Sequence, residues 1–444
     1  MQYWCEYAWL GGDTAAAGVL VAEADGVITD VTVGVPCLPG AVRLVGLTLP
    51  GLANAHSHAF HRALRGRTQV GSGTFWTWRD QMYELAATLT PDRYHRLARA
   101  VYGEMVRAGV TCVGEFHYVH HGPGGVAYAD AQAMDEAIVA AADEAGVRLT
   151  LLDSCYLQGG IGAPLNEVQQ RFADGDVDRW ATRVDEVRRR FAGPQVTVGA
   201  AVHSVRAVPA AAMSVVGAWA ERHGAPLHVH VSEQVAENEQ CLAEYGRTPT
   251  GLLADHGLLG PRFTAVHATH ISDQDVAALG RAGAAVCLCP TTERDLADGI
   301  GPAAVMGAAG VGLCLGSDSH AVIDLFEESR AMELDQRLAT QRRGHHRAAA
   351  LLGAASEGGH RSLGWGAAGR LAVGCTADLV SIRLDSVRTA GASEHSLLET
   401  AAFAATAADV HHVVVGGTVV VHDGTHQRLD VGRALADAIA EVWA

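Results

Sequence analysis

His56 and His58 stand two residues apart at the end of an apolar run, in a segment that reads LPGLANAHSH over residues 49–58. Residues two apart on a β-strand point to the same side, so the two imidazoles would face together. Two imidazoles at that separation can hold one divalent metal ion. The motif is short, however, and a polar strand end with two solvated histidines fits it equally well.

Other candidate ligands also stand at the ends of apolar runs that are typical of strands: His230, His267 and Asp318. Barrel enzymes place their active sites at the C-terminal ends of strands, where all of these residues fall. His228 shares a face with His230, but His230 lies closer to the rim. We therefore predict His230 as a ligand and His228 as a buried neighbour, and the joint arrangement across four strand ends predicts a metal site.

A set of three imidazoles and one carboxylate suits zinc, although iron(II) or manganese(II) is also compatible with it. A divalent ion lowers the pKa of water towards neutrality. Attack on a carbon bonded to nitrogen then needs a base for the water proton and an acid for the departing nitrogen. Asp318 is placed to act as the base. Glu233 can shuttle a proton to the nitrogen, and His267 can polarise the water and stabilise developing charge.

The composition excludes several other chemistries. The chain has 444 residues, a formal charge of −16 and 33 basic residues, none of which is lysine. Schiff-base formation, a phosphate-binding P-loop and a carbamylated lysine between two metals each need a lysine. The acidic balance argues against nucleic acid or an anionic membrane as the main partner, and it favours small molecules.

The nine cysteines are scattered, mostly within apolar runs, as is typical of reduced thiols in a cytoplasmic protein. Cys287 and Cys289 alternate on one predicted strand and lack a second pair, so we interpret them as core residues rather than metal ligands. The first residues carry no basic segment, and no run approaches the ~20 apolar residues that span a bilayer. We therefore expect a cytoplasmic location.

The pattern of elements changes twice along the chain. Residues 1–50 read as short strands, whereas residues 51–365 alternate helix-period segments with short apolar runs, as in a parallel sheet with crossover helices. Strand texture returns over residues 366–444, which end in a predicted helix. We predict an α/β fold: a (β/α)8 TIM-type barrel over residues 51–365, with a small β-sandwich domain built from the two terminal segments.

Two units show the expected helix boundaries most clearly. Thr90 can cap a helix that begins at Pro91 and ends before Gly109. Ser272 can likewise cap a helix that ends before Gly283. A short apolar strand candidate follows each of them.

Together these motifs resemble the amidohydrolase superfamily, in its mononuclear deaminase-like branch. The resemblance rests on residues 50–58, on His230 and His267, and on Gly316-Ser317-Asp318. The absence of lysine agrees with that branch. Residues 369–379, which read GRLAVGCTADL, are similar to the family's return to its β domain, so the resemblance covers nearly the whole chain.

Some segments resemble more specifically those enzymes of the superfamily that convert N-formimino-L-glutamate to N-formyl-L-glutamate and ammonia in histidine degradation. These segments are residues 56–63, 75–79, 115–121, 203–208 and 267–270. The resemblance implies one divalent ion with four ligands, namely His56, His58, His230 and Asp318. It implies that Glu233 and His267 are catalytic. The residues that it implies for binding a dicarboxylate substrate are His61, Arg79, Tyr118, His203 and Arg206.

Arginines suit such a substrate because their forked guanidinium groups bind carboxylates bidentately. Each position also has a structural interpretation: Arg79 can merely stack on neighbouring tryptophans, Tyr118 can be a core residue, and Arg206 can pair with a surface acid. The family usually has glutamine at the position of His61. Histidine can still donate a hydrogen bond there, but we expect its charge to vary with pH.

Two other functions remain open. Another deaminase of the superfamily, acting on a purine, pterin or guanidino compound, would use the same metal chemistry without depending on Arg79 and Arg206. A non-catalytic barrel that serves binding or assembly would be inert towards amidines and amides, and the presence of Glu233 and His267 argues against it. Because similar proteins are commonly dimers, we expect a homodimer.

Overall fold

The computed structural model describes residues 1–444 and contains two eight-stranded sheets. In chain order the strands are β1 Gln2–Ala8, β2 Ala16–Ala24, β3 Val27–Thr32, β4 Val42–Pro50, β5 Leu52–Ser57, β6 Val110–His117, β7 Arg148–Cys155, β8 Val196–Ser204, β9 Leu227–Val231, β10 Phe263–His267, β11 Ala285–Leu288, β12 Gly312–Leu315, β13 Leu379–Ile382, β14 Val410–Val415, β15 Thr418–His422 and β16 Thr425–His426. The helices are α1 Phe75–Thr88, α2 Pro91–Arg107, α3 Ala133–Ala145, α4 Val177–Phe191, α5 Ala210–His223, α6 Val235–Tyr245, α7 Pro249–Asp255, α8 Asp273–Ala282, α9 Pro290–Asp295, α10 Ala303–Ala308, α11 Leu325–Thr340, α12 Ala348–Gly353, α13 Gly359–Ser362, α14 Leu397–Phe403 and α15 Val431–Val442.

Strands β5 to β12 form one parallel sheet in which each strand pairs with the next along the chain. Its two outer strands meet, because Ser57 bridges to Asp318 and the Asp318 amide donates to the His56 carbonyl at 3.0 Å. Most of the intervening segments are helical. The predicted (β/α)8 barrel is therefore confirmed.

The other sheet joins strands from both ends of the chain, in the order β16-β15-β14-β13-β4-β1-β2-β3. Its strands form one continuous hydrogen-bonded ladder, and they enclose a separate core of 11 buried residues that includes Cys5, Val21, Leu44 and Val414. The prediction that the terminal segments combine into a small β domain is confirmed.

The expected capping residues start the helices as predicted. Thr90 accepts a hydrogen bond from the Arg93 amide at the start of α2, where Pro91 needs no partner for its nitrogen. Ser272 and Asp275 form a reciprocal capping box on α8. Gly283 ends that helix in the left-handed conformation, with φ of 66°.

No helix combines the length and the apolar character that crossing a membrane requires.

One buried ion pair connects the barrel to the terminal domain. Arg148 begins β7, and its guanidinium pairs with the carboxylate of Asp378, which lies just before β13. Asp378 also accepts a hydrogen bond from the Gly416 amide at 2.7 Å, and Arg148 lies over the ring of Trp365. Because both charged groups are almost fully buried, removing either partner would leave an unpaired charge at the junction.

Closure of the barrel depends on a glycine beside the histidine pair. A Cβ placed on Gly316 would lie 2.7 Å from the Cβ of His56 and 2.8 Å from its carbonyl oxygen. Contacts this short to backbone atoms are not relieved by a side-chain rotation. Gly316 thus allows the segment after β12 to approach β5 closely enough to place Asp318 near the two histidines.

We predict that Gly316→Ala lowers the free energy of unfolding by about 1–3 kcal/mol, because the added methyl group pushes β12 away from β5. Gly353→Ala is the matched control, since this helical glycine has no atom within 4 Å of an added Cβ. The control should be neutral or should stabilise the protein by about 0.5–1 kcal/mol. Urea unfolding followed by circular dichroism measures both, and equal stability of the two variants would contradict a tight closure at Gly316.

Candidate metal centre and active site

Four donor groups converge at the C-terminal ends of three barrel strands. His56 lies in β5 with His58 just beyond it, His230 lies in β9, and Asp318 follows β12. The Nε2 atom of His230 lies 3.0 Å from Nε2 of His56 and 3.4 Å from Nε2 of His58. Asp318 Oδ1 lies 3.4 Å from Nε2 of His56 and 3.4 Å from Nε2 of His58. All four residues are buried, and their donor atoms lie within 4.8 Å of one another.

Hydrogen bonds on the far side of two of the three imidazoles orient them towards a common point. His58 Nδ1 lies 2.9 Å from the Phe116 carbonyl, and His230 Nδ1 lies 2.8 Å from the His203 carbonyl. A carbonyl can only accept, so each Nδ1 carries the proton and each Nε2 presents a lone pair. Facing lone pairs repel each other unless a cation lies between them. The donor set and its orientation therefore fit a divalent metal ion.

The structure separates the two histidines of β9. His230 belongs to the four-residue group, whereas His228 Nε2 lies 3.0 Å from the Ser362 carbonyl and outside that group. The arrangement agrees with the prediction of His230 as the ligand and His228 as a buried neighbour.

A second possible donor group shares Asp318 and consists of His267, Cys289 and Asp318. This group offers three donors, one fewer than the group of His56, His58, His230 and Asp318, and burial raises the pKa of its Cys289 thiol well above the usual value. The group around His56, His58 and His230 therefore fits a metal better.

The catalytic candidates Glu233 and His267 lie beside the donor group. His267 Nε2 is 3.7 Å from Glu233 Oε1 and 3.8 Å from Asp318 Oδ2. Burial raises the pKa of Glu233 to about 7. Although burial opposes a charge on His267, the neighbouring Glu233 carboxylate and a hydrogen bond to Glu293 raise the pKa of the imidazole to about 10. A carboxyl group that titrates near neutral pH is suited to transferring protons.

The backbone at three of these strand ends adopts a conformation that side chains rarely take. Ser232, His267 and Asp318 have φ values of 52°, 69° and 42°. Left-handed residues other than glycine cost free energy, and they cluster where function requires a particular side-chain direction. Here the turn directs His267 and Asp318 towards the centre.

All five predicted substrate residues line one cavity of about 240 Å³, which His58, His230, Glu233, His267 and Asp318 also line. The substrate residues in its wall are His61, Arg79, Tyr118, His203 and Arg206. His56 is not in the cavity wall because it is fully buried behind the others. The structure thus brings every predicted site residue to one place.

The two arginines of the cavity differ in their partners. Arg206 pairs with the buried Glu237 at 3.0 Å, and it lies 3.7 Å from Glu233, so its partner is an acid of the site rather than a surface acid. Arg79 lies over the rings of Trp76 and Tyr83 and forms no salt bridge, and its Nε atom is buried without a hydrogen-bond partner. Stacking therefore positions Arg79 and leaves its guanidinium available for an anionic ligand.

His61 differs from expectation in its charge. Its Nε2 atom lies 2.9 Å from the hydroxyl of Tyr118. Burial, with the neighbouring His58, lowers the pKa of His61 well below its ordinary value, so the imidazole stays neutral around neutral pH. This shift favours a neutral hydrogen-bonding group at this position, as glutamine would be, over an imidazole whose charge varies with pH.

Sequence reasoning missed three residues of the site. Glu293, in the helical turn after β11, lies 3.4 Å from His267 Nδ1. Glu237 binds Arg206, and Tyr156 lines the cavity directly after β7. The rule that strand ends carry function would have found Tyr156 and Glu293. No spacing marks Glu237, because Glu233 precedes α6 and the two acids do not share a helix.

Comparisons with known proteins show the family of the chain. The sequence model of the amidohydrolase family matches residues 47–420. The chain is 39% identical over 415 residues to a curated formimidoylglutamate deiminase from Pseudomonas aeruginosa, an alignment that covers 91% of each chain. It is 31% identical to an 8-oxoguanine deaminase from the same organism, over 95% of this chain and 93% of the relative. A crystal structure of an amidohydrolase from Brucella melitensis superposes over the full length of both chains with a TM-score of 0.91 at 36% identity. The chain therefore belongs to the amidohydrolase family.

Proposed function

We propose that this protein hydrolyses N-formimino-L-glutamate to N-formyl-L-glutamate and ammonia, a reaction of histidine degradation. The observation that carries the proposal is a single cavity that joins a metal-binding group to two arginines, Arg79 and Arg206. The substrate has two carboxylates, and in an acidic protein these guanidinium groups supply the complementary charge. Similarity to the Pseudomonas aeruginosa formimidoylglutamate deiminase supports the same substrate.

The reaction adds water to the formimino carbon, breaks its bond to the terminal nitrogen and releases ammonia. His56, His58, His230 and Asp318 would hold a divalent ion, which would supply Lewis acidity and make water a stronger nucleophile. Asp318 accepts the proton of the attacking water. Glu233, with a pKa near 7, transfers a proton to the departing nitrogen. His267 is protonated at neutral pH and stabilises the negative charge that develops as water adds.

The remaining walls of the cavity orient the substrate. Arg79 and Arg206 bind carboxylates, while Tyr118, His61 and His203 offer hydrogen bonds beside the reacting centre.

Zinc is the metal that we propose, because three imidazoles and one carboxylate form a donor set that zinc commonly takes. Nine free cysteines support the reducing cytoplasm as the location. The homodimer stays a prediction, which light scattering on the purified protein tests.

The direct test of the function is ammonia release from N-formimino-L-glutamate by purified, zinc-loaded protein. We expect release at a rate that falls to background after chelation and returns when zinc is added. The control substrate is 8-oxoguanine, which lacks carboxylates. Release from 8-oxoguanine and none from N-formimino-L-glutamate would contradict the substrate but not the metal site.

Glu233→Gln should lower kcat about 10²- to 10⁴-fold while the metal content stays unchanged, because the amide cannot transfer the proton. Glu239→Gln is the matched control, since Glu239 is exposed on the following helix, α6. Steady-state kinetics and metal analysis check both variants. A Glu233→Gln enzyme that keeps its kcat would refute the proton-transfer role.

Arg79→Gln should lower kcat/KM for N-formimino-L-glutamate roughly 30- to 1,000-fold, because one substrate carboxylate loses its partner. That factor corresponds to about 2–4 kcal/mol of lost transition-state stabilisation. Two analogues identify that carboxylate: N-formimino-L-glutamine lacks the side-chain carboxylate, and N-formimino-4-aminobutyrate lacks the α-carboxylate. One analogue should be almost insensitive to the substitution. Equal losses for all three substrates would indicate that Arg79 only supports the fold. The exposed Arg189→Gln is the control.

His61→Gln should keep most of the activity and leave the pH profile between pH 6 and 9 unchanged, because burial holds the pKa of His61 well below that range. Both side chains are then neutral and can bond the Tyr118 hydroxyl. The pH dependence of kcat/KM for the two enzymes provides the comparison. Loss of a pKa from the profile on substitution would show that His61 does become charged.

A further inference from the structure

A separate group of potential ligands, His117, His120 and Asp135, lies on the outer side of the barrel. His117 ends β6, His120 follows it in the next loop, and Asp135 lies in the first turn of α3. Their donor atoms lie within 4.8 Å of one another, with 3.5 Å between His117 Nε2 and Asp135 Oδ1. Because successive strand side chains face opposite ways, His117 points away from the cavity that its neighbour Tyr118 lines.

Most polar atoms of this group lack a hydrogen-bond partner even though they are buried. His117 and Asp135 are 0% exposed, and His120 is 1% exposed. Both nitrogens of His117, Nδ1 of His120 and both carboxylate oxygens of Asp135 lack a hydrogen bond. Buried polar groups are almost always satisfied, so several orphaned atoms at one point indicate a bound species among them.

His120 and Asp135 present acceptor atoms to this point. His120 Nε2 lies 3.1 Å from the Ser154 carbonyl, so Nε2 carries the proton and Nδ1 presents a lone pair. The same kind of carbonyl contact orients His58 and His230 in the active site. An ionised Asp135 offers only acceptors as well. A water molecule has two protons to donate, whereas a cation can bind every lone pair directed at it.

The surrounding charges also favour a cation. Arg183 forms ion pairs with both Asp153 and Asp174, at 2.7 Å to each. Asp135 is a third buried carboxylate near this guanidinium, which already pairs with the two others.

We propose that His117, His120 and Asp135 bind a second, structural divalent cation of the zinc type behind the wall of the substrate cavity. Two imidazoles and a carboxylate select a borderline metal over calcium or magnesium. The ion links the end of β6 to α3 and thereby fixes the backbone beside Tyr118. The proposal does not rest on the substrate assignment, since it concerns residues outside the cavity.

The test is the zinc content of untagged protein, saturated with zinc and then freed of loosely bound ions by gel filtration. Elemental analysis should find about two zinc ions per wild-type chain and about one in either Asp135→Asn or His230→Ala. The double variant should hold none. His412→Ala is the matched control, because it disrupts a partly exposed group of His411, His412 and Asp423, and it should keep both ions.

Two results would overturn the proposal. One is a wild-type protein that holds about one ion and a His230→Ala variant that holds none, which would mean that water or a proton fills the second group. The other is loss of an ion in His412→Ala with none lost in Asp135→Asn. If Asp135→Asn fails to fold, His117→Gln replaces that variant. The comparison of the zinc content of wild type with that of His230→Ala remains decisive in either case.

Discussion

The contact between the first and last strands of the barrel is the constraint on which the site depends. Ser57 bridges to Asp318, and the Asp318 amide bonds to the carbonyl of His56. Without this closure, the histidines of β5 and the carboxylate after β12 would lie at opposite edges of an open sheet. Gly316 permits the close approach because any side chain there would meet His56. The contact that closes the barrel therefore also brings the metal-binding residues together.

Burial sets the protonation states of the metal-binding group and of the residues beside it. Low exposure keeps the metal-facing imidazoles neutral, and it raises the pKa of Glu233 into the range where a carboxyl group can both take and give a proton. His267 is the exception: the carboxylates around it hold it protonated despite its burial. One enclosed cavity thus contains lone pairs for a metal, a proton carrier and a fixed positive charge. Its wall also carries two arginines, in a chain with a formal charge of −16.

The sequence predicted much of this arrangement because the chemistry is local to strand ends. Periodicity and capping residues such as Thr90 and Ser272 located helices, and the order of strands in a (β/α)8 barrel makes their C-terminal ends meet. His230 was separable from His228 by its position nearer the rim. Contacts between distant segments were not predictable in this way. The pairing of Arg206 with Glu237, the hydrogen bond of Glu293 to His267 and the burial that keeps His61 neutral depend on packing that no spacing encodes.

Anomalous scattering at the zinc edge, measured on crystals of the zinc-loaded protein, locates the bound ion directly. We predict a peak about 2.0–2.2 Å from Nε2 of His56, His58 and His230 and from a carboxylate oxygen of Asp318. A peak bonded instead to Cys289 and His267, or no peak at this end of the barrel, would contradict this prediction.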